Sequence, residues 1–261
     1  MKLNGLKPNK RLGQNFLTSN IVLKKIIKAS QIKSSDIILE IGPGTGVLTK
    51  ELAQKSKKVI TVEKDKRLIP ILEKTLPNNV EIIQGDILKI KNLKLKRGYK
   101  LIANLPYYIT APVIRMFLEN NPPKLMVLMV QKEVGQRICA SPPKMSKIAV
   151  FTQFYGQPEI ISNVSKNCFS PKPKVDSVIL KITPFKSLNK VNKDLFSKIV
   201  KAGFSQPRKQ LINNLSKSLN VKKQETKIWL EKNNIKSEQR AETLNVKDWI
   251  NLTNTFYNKL L

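Results

Sequence analysis

Between residues 36 and 134 the chain alternates short apolar runs with amphipathic stretches, and this alternation restricts the fold more than any other feature. "DIILEIG" (36–42), "KVITVEKD" (58–65), "VEIIQGDIL" (80–88), "KLIANLP" (100–106) and "KLMVLMVQKEV" (124–134) have the length and β-branched content of buried strands. "GVLTKELAQKS" (46–56), "RLIPILEKTL" (67–76) and "PVIRMFLEN" (112–120) space their apolar residues as helices do. Strands that alternate with helices build βαβ units, hence a parallel sheet. A helix is predicted over 18–30, with Thr18, Ser19 or Asn20 as its cap and Val22, Leu23, Ile26, Ile27 and Ser30 at helical spacing. "FSPKPKVDSVILKITP" (169–184) breaks the rhythm: its prolines make a loop, and its Val-Ile-Leu run suits a last strand, for which an antiparallel direction is open. After Pro184 the strand signal ends. A polar linker (187–194) leads to Leu195, Phe196, Ile199 and Val200, then Leu211, Ile212, Leu215 and Leu219, then Trp249, Ile250 and Phe256, all at helical spacing. The predicted organisation is an α/β domain over 1–186 and a small all-helical domain over 187–261.

Composition narrows the chemistry. The chain has 261 residues and no histidine, which excludes His-based triads, His general bases and His metal sites. Cys139 and Cys168 lack metal-ligand spacing and are expected to be reduced thiols, so no metal is anticipated. No apolar run approaches the roughly 18–20 residues of a membrane span. The amino terminus lacks the apolar segment of a secretory signal, so a cytoplasmic protein without a membrane partner is expected. Lys and Arg number 48 against 18 Asp and Glu, a net charge of +30. Residues 186–261 hold 16 basic and 6 acidic residues, so +10 of the excess lies there and +20 before it. Such an excess points to a polyanion touched by both parts of the chain.

Three motifs carry the chemistry. "EIGPGTG" (40–46) closes the first strand. Its glycines permit a tight turn and close approach of a ligand, and the helix behind it offers its amino end. The spacing is not that of the dinucleotide fingerprint G-x-G-x-x-G. Glu63 ends the second strand, where a carboxylate can accept both hydroxyls of a ribose, and Asp86 after the third can either accept an adenine amino group or cap a helix or turn. Together these predict a nucleoside-bearing cofactor at the carboxyl ends of a parallel sheet. "NLPYYI" (104–109) then sets an amide, a proline-fixed turn and aromatic rings at the end of the fourth strand. The lone pair of an adenine amine is delocalised into its ring, and a site helps by accepting hydrogen bonds from its N–H groups. The Asn104 amide oxygen and the Leu105 carbonyl, held by Pro106, are the candidate acceptors, with Tyr107 stacked on the base.

These motifs resemble those of the ribosomal small-subunit RNA adenine dimethyltransferase family. "RLGQNFL" (11–17), "EIGPGTGVLT" (40–49), "VEKD" (62–65), "GDIL" (85–88), "NLPYYI" (104–109), "FSPKPKVDS" (169–177) and "AETL" (241–244) stand in the family's order over nearly the whole chain. The resemblance implies a Rossmann-like seven-stranded methyltransferase sheet with a small C-terminal helical domain that binds RNA. It implies S-adenosylmethionine as methyl donor. It also implies two N6 methylations on each of two adjacent adenosines in the 3′-terminal hairpin of 16S-type RNA, during assembly of the small ribosomal subunit. By motif, Asn15 and Leu17 would contact the cofactor, Gly42 would line its methionine part, Glu63 its ribose and Asp86 its adenine. Asn104 would lie where the methyl donor meets the target amine, and Phe169 would be a second aromatic against the flipped base. The family's basic run is altered here, since "GFSQPRKQL" (203–211) has Pro207 at a basic position. A monomer is expected. A sister enzyme that methylates large-subunit RNA and confers antibiotic resistance shares the cofactor and catalytic motifs. A non-catalytic assembly or transcription factor on the same fold is the alternative of another class. A DNA adenine methyltransferase is disfavoured by the missing target-recognition insert.

Overall fold

Strands form where the apolar runs lie, and helices cover them. The computed structural model describes residues 7–90, 93, 95–186 and 191–256. The chain divides into two units: Met1–Gln136 with Gly156–Pro184, and Arg137–Tyr155 with Phe185–Leu261.

The first unit holds a seven-stranded sheet made of β1 (Ile37–Ile41), β2 (Lys58–Glu63), β3 (Val80–Gln84), β4 (Lys100–Asn104), β5 (Leu125–Gln131), β6 (Gly156–Val164) and β7 (Ser177–Pro184). Their order is β3-β2-β1-β4-β5-β7-β6, the α/β architecture expected from the sequence. The first five strands are parallel, and β7 runs antiparallel to both β5 and β6. Helices α1 (Asn20–Ser30), α2 (Val47–Lys55), α3 (Ile69–Thr75) and α4 (Thr110–Asn120) accompany the parallel strands. Of the three candidate caps for α1, Ser19 serves, accepting from the Val22 amide. Ile38, Leu39, Leu101, Ile102, Val127 and Leu128 are almost wholly buried. Each such side chain contributes about 1.5–3 kcal/mol on burial.

Two features of this sheet position the site. Strands β1 and β4 pair only at Ile38↔Lys100 and Leu39↔Leu101. Meanwhile β1 follows β2 up to Ile41↔Val62, and β4 follows β5 up to Asn104↔Met129. The two central strands therefore part at their carboxyl ends, where the strand order reverses, and open a crevice there. At their amino ends they are held by a buried ion pair: Lys100 Nζ lies 2.7 Å from Asp36 and also donates to the carbonyls of Ser30 and Gln31 that end α1. The second feature is a short antiparallel ladder, Phe16↔Ser170 and Leu17↔Phe169, which ties the amino-terminal arm to the loop before β7.

The second unit contains α6 (Lys147–Tyr155), α7 (Lys193–Gly203), α8 (Leu211–Leu219), α9 (Lys223–Lys232) and α10 (Val246–Phe256), following α5 (Lys132–Ile138) in the chain. The sequence boundary at 186 left 137–155 with the α/β domain, whereas these residues group with the helical unit. The cause is aromatic: Phe154 stacks on Phe196 with ring centroids 3.9 Å apart. The first four linker residues, 187–190, lie outside the described residues. Among the described residues no helix is long and apolar enough to cross a membrane.

Candidate active site

Five chain segments line a pocket at the parted ends of β1 and β4: the glycine turn, the end of β2, the end of β3, the "NLPYYI" turn, and the arm Leu12–Leu17. Gly42, Gly44 and Gly46 adopt φ of 70°, 57° and 77°, backbone that residues with a Cβ rarely enter. A Cβ at Gly44 would fall 2.8 Å from the Phe16 ring, so the arm can lie on the turn only because this residue has no side chain. The Gly42 amide donates to Val62 at 2.9 Å and the Gly46 amide to Pro43 at 2.9 Å, which closes the turn.

Two glutamates stand in the pocket wall. Glu63 is 6% exposed; one oxygen accepts from the Asp65 amide at 2.7 Å, the other from the Gly44 amide at 3.3 Å. Burial pushes its carboxyl up, against those amide bonds. Glu40, which the sequence reading left without a role, is 1% exposed, and its Oε2 has no hydrogen-bond partner. Thr49 lies beside it, but the two make no bond of good geometry. Burial, with the Glu63 charge adding to it, pushes Glu40 to about 8. An orphaned acid inside an apolar strand is costly unless something binds it. Here the wall offers a cation an acid that it can ionise, and offers hydroxyls the Glu63 carboxyl.

Asp86 lines the pocket with both oxygens in use. Oδ2 lies 2.9 Å from Lys64 Nζ, and Oδ1 accepts from the Leu88 amide at 3.1 Å. The lysine is the main reason its carboxyl is held below the usual range. Asn104 donates through Nδ2 to the Asn15 carbonyl at 3.1 Å, so the arm fixes the amide and Oδ1 is the edge left to accept. Leu105 is buried, and Pro106 has φ −55° and ψ 128°. The Tyr107 phenol and the Ser177 hydroxyl are 2.8 Å apart, which anchors a half-buried ring at the pocket edge.

Thus Asn15, Leu17, Gly42, Glu63, Asp86, Asn104, Leu105, Pro106 and Tyr107 are brought together. Phe169 is not. Its ring is 5% exposed and belongs to the cluster of Leu17, Val22, Leu23, Ile26 and Val164, where the ladder to Leu17 draws it. The expected second aromatic thus lies outside the pocket lining in this structure. Sequence reasoning also missed the latch of the arm. Gln14 donates to Asp65 Oδ2 at 2.8 Å, and Arg67 grips the same carboxylate with Nε at 2.9 Å and Nη2 at 2.6 Å. Arg67, above all, holds the Asp65 carboxyl down at about 2. "VEKD" placed Asp65 in view, but nothing in the local pattern tied it to residue 14.

In the helical unit, Ser205, Gln206, Lys209, Asn213, Asn214, Lys217 and Ser218 line another cleft around the altered basic run.

Comparison with known proteins adds to this geometry. The model of the family "Ribosomal RNA adenine dimethylase" matches residues 5–256. Ribosomal RNA small subunit methyltransferase A of Clostridium botulinum (strain Loch Maree / Type A3) is 41% identical over 264 residues, spanning 97% of this chain and 96% of that protein. Its namesake in Dehalococcoides mccartyi (strain ATCC BAA-2266 / KCTC 15142 / 195) is 42% identical over 253 residues, spanning 94% and 87%. Among solved structures, a dimethyladenosine transferase from Plasmodium falciparum superposes with a TM-score of 0.79 at 33% identity, covering 94% of this chain and 98% of that one. The 23S rRNA methyltransferase ErmE superposes at 0.73 with 22% identity, covering 92% and 98%, a likeness of fold.

Proposed function

The chain belongs to the ribosomal RNA adenine dimethylase family, and from that premise we propose its reaction: methyl transfer from S-adenosylmethionine to N6 of two adjacent adenosines in the 3′-terminal hairpin of 16S-type RNA. The substrate is the RNA of the assembling small ribosomal subunit, and the protein acts as a cytoplasmic monomer.

The pocket suits that cofactor. Its ammonium and sulfonium are cations, and the orphaned Glu40 acid in the wall can give up its proton to meet one. Glu63 would take the ribose hydroxyls, Asp86 the adenine amine, Gly42 the methionine part, and Asn15 and Leu17 would close the arm side. When bound, the cofactor supplies an electrophilic methyl group; everything else falls to the chain. Asn104 Oδ1 and the Leu105 carbonyl accept the N–H groups of the target amine and turn its lone pair toward the methyl. Tyr107 gives the extruded base a face to stack on, worth roughly 1–3 kcal/mol. No general base is needed first, since the amine proton becomes acidic only as the new C–N bond forms. It then leaves to water.

One observation carries this reading: the Asn104 Nδ2–Asn15 bond, which leaves the acceptor edge of the amide for an amine. The small-subunit assignment is supported by the relatives at 41–42% identity, against a likeness of fold alone for the large-subunit enzyme. The test is incubation with labelled cofactor and separated small- and large-subunit RNA, followed by mapping of the modified adenines. Label on the large-subunit RNA only would refute the assignment.

A further inference from the structure

Lys64 is the first residue after Glu63, and its ammonium spans the rim of the pocket to Asp86 Oδ2 at 2.9 Å. The Tyr108 phenol, itself 55% exposed on the rim, sits beside the same ammonium. With Oδ1 already accepting from Leu88, the carboxylate that would receive the adenine amine is engaged at both oxygens. Each oxygen keeps a second lone pair, so an incoming amine either shares this carboxylate with the lysine or displaces it. Displacement is feasible: the lysine side chain is 47% exposed, and an ion pair this open is weak.

We propose that Lys64 is a specificity-determining competitor for Asp86. The Lys64–Asp86 pair opens when the adenine amine docks, and the lysine thereby sets how tightly the adenine end is held. The inference rests on the reading that Asp86 accepts that amine. It has a chemical corollary. A lysine at this rim donates but cannot accept, so it opposes a 6-amino purine and suits a 6-oxo purine. The ion pair is screened by salt, so its opposition fades as ionic strength rises.

The test is calorimetry on the full chain with S-adenosylhomocysteine and with S-inosylhomocysteine, in which the amine is replaced by oxygen. Wild type, Lys64→Met and Asp86→Ala are compared at low and high salt, with thermal melts to check folding. Lys64→Met should bind S-adenosylhomocysteine more tightly at low salt, by up to about fivefold, the most that a half-exposed pair is worth. The gain should shrink at high salt and be absent for S-inosylhomocysteine. If Asp86→Ala weakens binding but Lys64→Met leaves it unchanged or weaker, the competitor role is overturned and the Asp86 reading stands. An equal gain for both ligands would reduce the lysine to a general charge and also overturn the proposal. If Asp86→Ala has no effect, the adenine reading falls and takes this inference with it.

Discussion

Asn104 is held on one edge and open on the other, so its contribution can be isolated by substitution. Asn104→Ala is expected to lower turnover about 10²–10³-fold, as loss of one preorganised polar contact does, with a much smaller change in cofactor affinity. Single-turnover methylation beside calorimetry separates the two, and equal turnover in both proteins would refute the role. Glu40 makes a different demand. Its folded value is raised to about 8 from an ordinary 4.5, so the stability it contributes is complete below the unfolded value. That stability is lost as pH rises from there through 8. Relative to Glu40→Gln, the wild-type melting temperature should therefore fall between pH 5 and 8. A cationic ligand that ionises Glu40 should also release close to one proton at pH 7, seen in buffers of different ionisation enthalpy. The Gln variant should release none.

The α7 helix ends at a position where packing overrides helix propensity. Alanine normally improves on glycine by about 1 kcal/mol inside a helix. At Gly203 an added Cβ would lie 2.3 Å from the Trp249 ring, so Gly203→Ala should instead destabilise the helical unit by about 1–3 kcal/mol. Urea unfolding followed by tryptophan fluorescence measures it, and a gain in stability would contradict the packing. The elements differ in how plainly the sequence announces them. Parallel strands buried on both faces read as continuous apolar runs, and β1, β2, β4 and β5 were legible for that reason. β6 was not, because its side chains alternate between half-covered and exposed and its Pro158 argues against a strand. Helix α9 buries only Thr226, Trp229 and Leu230, too few to set a period. Within the site, Gly42, Glu63 and Asn104 were legible because turn and strand-end chemistry is local. The packing of Phe169 and the latch at Gln14 were not legible for one reason: both depend on pairings between residues far apart, Leu17 with Phe169 and Gln14 with Asp65.

For the whole molecule, the +30 charge sets the terms of association. RNA affinity should fall steeply with salt, with a slope of log K on log salt of roughly −0.7 to −0.9 per phosphate contacted. Titration at several ionic strengths checks this, and a flat dependence would leave the charge no role in binding. The arm also links the ligand pocket to the rest of the chain. It is fastened at Gln14 to Asp65 and at Phe16 and Leu17 to the loop before β7, and between these points it walls the pocket. Linkage runs both ways across such a wall: whatever binding energy a ligand draws from the closed arm, it returns as protection of the arm. Amide hydrogens of residues 12–17 should exchange more slowly by about the factor by which the ligand exceeds its dissociation constant. The amino-terminal arm thus becomes a reporter of pocket occupancy, readable without any methyl transfer taking place.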